Sequence, residues 1–148
     1  MPVVLIGAEL PGWEDYAKKV EDEQKINSAY GGRWIKNLTN ENPLLASAYA
    51  SCRLFVLLST DETQPLSILQ AMAVKKPVLL LKASYTNEPP FNKIPTITAQ
   101  NIQSVAADLK KHWERGVVVP LPEDYRWRNV ALKLKSIYEK AINEYKSS

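Results

Sequence analysis

Cysteine and histidine are almost missing from this chain: Cys52 and His112 are the only ones among 148 residues. A lone cysteine excludes an intramolecular disulfide framework and a multi-cysteine zinc site. A lone histidine excludes any mechanism that needs two in one chain. Five glycines and ten prolines leave no collagen-like or low-complexity bias. No apolar run reaches the ~18–20 residues of a membrane span. The apolar opening Val3–Ile6 follows only Met1 and Pro2, without the basic leader and long apolar stretch of a signal peptide. The expectation is a cytoplasmic chain with no membrane span. The sequon Asn37-Leu38-Thr39 then reads as chance, because glycosylation needs a secretory route.

What is present describes a soluble globular protein. The chain is 45% hydrophobic and 24% charged, with a mean hydropathy of −0.27. Its length suits a single domain, residues 1–148. Charge is uneven: residues 1–74 carry 6 basic and 9 acidic side chains, net −3, and residues 75–148 carry 13 and 7, net +6. The basic half is read as solvated Lys-rich helices, with an anionic ligand as the other reading.

Short apolar runs alternate with helical patterns. Pro2-Val-Val-Leu-Ile-Gly7, Arg33–Leu38, Leu54–Leu58, Pro77–Leu81 and Thr96–Thr98 predict strands, the first and third buried on both faces as in a parallel sheet. Between them, Pro11-Gly12 opens a helix to about Ser28, with Trp13, Tyr16, Ala17 and Val20 on one stripe. Asn42-Pro43 supplies an N-cap and a first-turn proline, and Pro65 starts a third helix. Asn101 caps a helix with Ile102, Val105, Ala106, Leu109 and Trp113 inward, which Gly116 stops. Asp124–Tyr145 is the longest helix; its stripe of Trp127, Val130, Ala131, Leu134, Ile137, Tyr138, Ala141 and Ile142 is expected to pack along a sheet. Residues 83–95 read as a loop and Lys146-Ser-Ser as a tail. The pattern predicts an α/β fold: a three-layer, Rossmann-like parallel sheet of local order 2-1-3-4-5, with helices on both faces and a long C-terminal helix. Ligands of such sheets bind outside the carboxyl ends of the strands, where Gly7, Ser59, Lys82 and the loop Ser59–Pro65 lie.

That loop is the most informative stretch. It joins a strand to a helix N-terminus, whose free N–H groups at Leu66 and Ser67 attract an anion such as phosphate. Glu62 brings a carboxylate to the same place; it repels phosphate but suits the hydroxyls of a polyol. Gln70 follows one to two turns into the helix.

The segment Ser59-Thr-Asp-Glu-Thr-Gln-Pro-Leu-Ser-Ile-Leu-Gln-Ala-Met-Ala-Val-Lys-Lys-Pro-Val78 resembles the donor-binding signature of GT-B-fold retaining glycosyltransferases, the group 1 or family 4 enzymes. Ser59, Glu62, Pro65, Ala71, Met72, Ala73, Pro77 and Val78 fall in register with it. Val3–Gly7, Leu44–Leu58 and Tyr125-Arg-Trp127…Ile137-Tyr138 resemble further family segments in the same order, so the resemblance covers nearly the whole chain. It implies that the chain is the C-terminal, nucleotide-sugar-binding domain of such an enzyme, which transfers a hexose-type sugar with retained anomeric configuration. By the same resemblance, Glu62 contacts sugar hydroxyls, and backbone groups at Gln64, Leu66 and Ser67 hold sugar and diphosphate. Gln70 meets the ribose, and Ile35, Lys36 and Asn37, with Gly7, border the nucleotide. A nucleotide-diphosphate sugar is the implied substrate; no cofactor and no metal are expected.

Three departures stand out. Gln70 replaces the family's second Glu, keeping one acceptor oxygen without its charge. Thr63-Gln64 replaces Gly-Phe, narrowing close backbone approach. Lys75-Lys76 stands where the family has Ala or Gly and then Gly or Lys before the proline, its signature reading Ala-Met-Ala-x-Gly-x-Pro-Val. The family's first strand–helix unit and its N-terminal acceptor domain have no counterpart here. The expectation is therefore an inactive isolated chain that needs the missing domain or a partner chain, with Lys82 as a stand-in for the lost cations.

Simpler readings stand beside these. Glu62 reads equally as a solvated loop acid and Gln70 as a helix-surface amide; Cys52 as a small core residue; His112 as solvent-facing; the four tryptophans as packing anchors. A non-catalytic nucleotide or sugar-nucleotide binder is the alternative function on the same fold. A response-regulator receiver domain needs an acid cluster after the first strand and an Asp ending the third, where only Glu9 and Ser59 stand. No nucleic-acid partner is expected, since no RNP, zinc or helix-turn-helix signature is present.

Overall fold

The computed structural model describes residues 2–146 apart from Ser28 and Tyr30. The expected helix end at Ser28 and tail residues Ser147 and Ser148 lie outside the described residues. The chain divides into two compact units, residues 1–48 and 49–148. Parallel sheets flanked by helices, and a long C-terminal helix, make up the fold.

In the first unit, β1 (Val4–Ile6) pairs in parallel with β2 (Arg33–Ile35), Leu5 opposite Trp34, and α1 (Glu14–Asn27) connects them. The crossover is the expected βαβ unit. The expected burial of β1 is not met: Val4, Leu5 and Ile6 are each at least 40% exposed. Two strands and one helix offer too little structure, within this unit, to cover both faces of a three-residue strand. Of the α1 stripe only Ala17 is buried. Trp13 and Tyr16 stay exposed and meet edge to face with ring centroids 6.3 Å apart.

The helix α2 (Pro43–Ser51) starts as expected: the Asn42 side-chain oxygen accepts from the Leu44 N–H at 3.0 Å, and Pro43 occupies the first turn.

In the second unit, β3 (Phe55–Leu57), β4 (Val78–Leu81) and β5 (Thr96–Ile97) form a parallel sheet in the order β3-β4-β5. Val56 pairs with Leu79 and Leu81 with Ile97. The ladders thus follow the expected 2-1 and 3-4-5 neighbours, as a two-stranded and a three-stranded sheet. The central strand β4 buries Val78, Leu79 and Leu80 in succession, which is why its sequence is continuously apolar rather than alternating. The helix α3 (Leu66–Ala73) contributes Ile68, Ala71 and Met72 to the same core.

Residues 83–95 are not the plain loop their prolines suggest. Two 3-10 turns, Ser84–Asn87 and Phe91–Lys93, place Tyr85, Phe91 and Ile94 in the core. Tyr85 and Phe91 meet edge to face at 6.1 Å. The Thr86 hydroxyl, also buried, donates to the Ala83 carbonyl at 2.7 Å, so its polarity is satisfied within the turn.

The helix α4 (Ile102–Arg115) opens with a reciprocal cap, Asn101 Oδ1 accepting from the Ser104 N–H at 2.8 Å and Ser104 Oγ from the Asn101 N–H at 3.3 Å. None of its residues is fully buried, and Ile102, expected inward, is 85% exposed. At its other end Gly116 lies at negative φ, so the glycine is not there for a left-handed turn. A Cβ at Gly116 would come within 2.6 Å of Pro77 Cβ; close approach is what requires the glycine. Arg53 Nε donates to the Trp113 carbonyl at 2.9 Å, placing a cation at the negative end of α4.

The last helix, α5 (Trp127–Lys146), follows a 3-10 turn at Glu123–Tyr125. It is continuous over 20 residues, as expected, but none of them is buried. Its apolar stripe does not pack along the sheet of its own unit.

Candidate functional site

The turn from β3 to α3 is built by local hydrogen bonds. Ser59 Oγ donates to the Asp61 carbonyl at 2.9 Å, and the Tyr85 hydroxyl reaches the Ser59 carbonyl at a long 3.5 Å. Glu62 is half-buried in this turn. Burial, and then the negative charge of Glu62, push the Tyr85 phenol above its ordinary range. A phenol so placed stays protonated and keeps its donor. Tyr85 therefore belongs to the site's surroundings, although no periodicity in residues 83–95 could have drawn attention to it.

Pro65, buried and extended at φ −73° and ψ 91°, is the N-cap of α3 rather than its first residue; its carbonyl accepts from the Ile68 N–H at 3.1 Å. The N–H groups of Leu66 and Ser67 are the first two of the helix and have no carbonyl one turn back within it. Gln64 and Leu66 are exposed, Ser67 and Gln70 half-buried. The structure thus brings Glu62, Gln64, Leu66 and Ser67 together at one turn, with Gln70 on the helix that follows. Lys82 lies just past β4, exposed, its N–H on the Ile97 carbonyl at 2.8 Å.

The opposite end of α3 shows how the chain managed without the glycine seen in the resembling signature. The Lys75 N–H bonds the Met72 carbonyl and the Lys76 N–H the Ala71 carbonyl, both at 3.0 Å. This is a Schellman ending, and Lys75 holds its left-handed position at φ 57°.

Residues 1–48 carry the other expected positions. Gly7 follows β1; its N–H reaches the Ile35 carbonyl at 3.4 Å and its carbonyl accepts from Trp34 Nε1 at 3.0 Å. Nothing lies within 4 Å of where a Cβ would stand at Gly7. Lys36 is committed within the unit: its ammonium donates to Glu9 at 2.8 Å and Glu21 at 2.5 Å, and sits 4.4 Å from the centroid of the Trp34 ring. The hydrogen bonds that Lys36 donates to Glu21 and then to Glu9 hold the lysine pKa above its ordinary value, and the bond from Lys36 holds Glu21 below its own. Asn37, exposed, is left-handed at φ 59°.

Cys52 is half-buried, not a core residue; its thiol contacts the Tyr49 carbonyl at 3.3 Å, and burial raises its pKa. His112 is half-buried on α4, not fully solvent-facing. Among the described residues no cluster of three or more His, Cys, Asp and Glu could hold a metal ion. An open apolar hollow of about 410 Å³ lies along Ala99–Leu109 and shares no residue with the Glu62 turn. Among the described residues no helix is long and apolar enough to cross a membrane.

A family model described as "Glycosyl transferases group 1" matches residues 3–114. No curated protein matches. Among solved structures, the CMP N-glycosidase of Clostridium botulinum is similar at 17% identity and a TM-score of 0.42, over 72% of this chain and 98% of that one.

Proposed function

Because the chain belongs to the group 1 glycosyl transferases, we propose that it is the C-terminal, nucleotide-sugar-binding half of a retaining enzyme of that family, with residues 1–148 working as one Rossmann-like domain. The carrying observation is the placement of Glu62 in the turn directly before the N-terminus of α3, close enough to Tyr85 for its charge to act on the phenol. A carboxylate accepts hydrogen bonds from sugar hydroxyls, and the N–H groups of Leu66 and Ser67 donate to a phosphate oxygen. One site then holds both ends of a sugar diphosphate by opposite chemistries. The Gln64 backbone borders the sugar, and Gln70 offers the ribose one neutral acceptor.

Within residues 1–48 the reading assigns nucleotide contacts to Gly7, Ile35 and Asn37. The Lys36 charge is already balanced by Glu9 and Glu21, so Lys36 offers its stem and the neighbouring Trp34 face rather than a free cation. The donor is the substrate, and no resident metal or cofactor enters the reading. The uncharged Gln70 is the one feature that favours a binder without transfer.

Titration of the isotope-labelled chain with UDP-, GDP- and ADP-sugars tests the assignment. Amides of residues 60–70 are expected to shift with dissociation constants roughly in the high-micromolar range or weaker. Glu62→Ala is expected to weaken binding by about tenfold or more, the loss of at least one charge-assisted hydrogen bond of about 1.5–3 kcal/mol. No shift in those amides at millimolar ligand would overturn the assignment.

A further inference from the structure

The buried tyrosine beside the Glu62 turn has a donor it hardly uses. Tyr85 is 7% exposed, and its ring belongs to the core cluster with Ile68, Met72 and Phe91. Its hydroxyl end meets the Ser59 carbonyl at 3.5 Å. Hydroxyl bonds to oxygen ordinarily span about 2.7–2.8 Å, and a buried hydroxyl is ordinarily well paired. The neighbouring Thr86 shows the contrast, donating to the Ala83 carbonyl at 2.7 Å.

The place of this donor is set by the sheet. Ser59 lies two residues past the end of β3, and Tyr85 four past the end of β4. These strands are parallel neighbours, so both residues stand at their carboxyl ends, where ligands of such sheets bind. Glu62 follows in the same turn, half-buried. Beyond Tyr85, the Tyr125 hydroxyl donates to the Pro89 carbonyl at 3.1 Å. The segment carrying Tyr85 is thus anchored on both sides, by β4 and by this bond.

The two side chains are chemically complementary. An ionised carboxylate only accepts, whereas the phenol has a proton to donate. Burial, and then the Glu62 charge, keep that proton in place. A sugar hydroxyl suits both at once: its hydrogen goes to the carboxylate and its oxygen accepts from the phenol. We propose that Tyr85 is a specificity-determining residue for the donor sugar, its hydroxyl leaving the Ser59 carbonyl to donate to the same sugar hydroxyl that donates to Glu62. The inference rests on the sugar-binding reading of this turn. The exchange costs little, because the bond given up is the long one. A sugar without a hydroxyl at that place leaves both groups unpaired, and is therefore rejected.

Tyr85→Phe tests this, since it removes the hydroxyl and keeps the ring. The probe is whichever of UDP-, GDP- and ADP-glucose shifts the amides of residues 60–70 most, beside its nucleoside diphosphate. The variant is expected to bind the sugar nucleotide about two- to tenfold more weakly, the loss of one neutral hydrogen bond. It is expected to bind the nucleoside diphosphate as well as the parent does. Equal losses for the two ligands would show a structural role, and no loss for either would show no role. Each overturns the proposal and leaves the Glu62 site standing. Amides that respond to no nucleotide sugar would overturn the site and the proposal together. A measurement without ligand checks the juxtaposition. With isotope-labelled tyrosine rings, Tyr85 is expected to lose its proton at lower pH in Glu62→Gln than in the parent, its signal identified by its absence from Tyr85→Phe. An unchanged titration would separate Tyr85 from Glu62 and overturn the proposal whatever the ligands do.

Discussion

Lys75→Gly should stabilise this protein, although it removes a side chain. Lys75 sits at φ 57° as the left-handed residue of the Schellman ending of α3. Holding a residue with a Cβ there costs about 1–2 kcal/mol, which glycine avoids. Glycine in turn gives the unfolded chain more freedom, worth about 0.5–1 kcal/mol. The Lys75 side chain is exposed, so little packing is lost. The difference is a net stabilisation of about 0.5–1 kcal/mol. For a chain of this length that raises the Tm by roughly 1–4 °C. Urea denaturation at constant m reads it directly. Lys75→Ala is the control: it also removes the long side chain but keeps the Cβ, so it should stay within about 0.5 kcal/mol of the parent. If Lys75→Gly proves no more stable than Lys75→Ala, the left-handed strain is not there and the reasoning fails.

Gly116→Ala should destabilise by about 1–3 kcal/mol, because the new methyl lands 2.6 Å from Pro77 Cβ and 2.8 Å from the His112 carbonyl; thermal denaturation beside a Gly116→Ser variant reads it, and a neutral Ala variant would refute the close approach. The Lys36 cluster predicts two pH arms. The Glu21 contribution is complete above the ordinary carboxylate pKa and is lost as pH falls through its lowered folded value, while that of Lys36 is complete below the ordinary lysine pKa and is lost as pH rises through its raised one. Hydrogen-exchange protection factors of residues 1–48, which remove the intrinsic pH dependence of amide exchange, should therefore reach a plateau between roughly pH 5 and 10, and Lys36→Met should flatten both arms; an unchanged profile in that variant would count against the cluster.

The local grammar of this chain is legible in its amino-acid order. Asn42-Pro43 and Asn101 mark helix starts because their signals act within four residues, through a side chain and the nearest backbone groups. The alternation of apolar runs and helical patterns carries the parallel α/β fold for the same reason: right-handed crossovers follow from chain connectivity and chirality. The Glu62–Pro65 turn can be placed because a strand end and a helix start are both local events. Tertiary structure alone decides what each apolar residue touches. Tyr85, Phe91 and Ile94 stand in a proline-rich stretch with no period, and enter the core only because two 3-10 turns fold them onto β4 and α3. Gly116 reads as a helix stop, yet its constraint comes from Pro77, far away in sequence. The resemblance places Lys36 beside the nucleotide, and only the fold brings Glu9 and Glu21 to its ammonium. The stripes of β1 and α5 show the converse, since periodicity states that a face is apolar while only the packing of other elements determines whether it is covered.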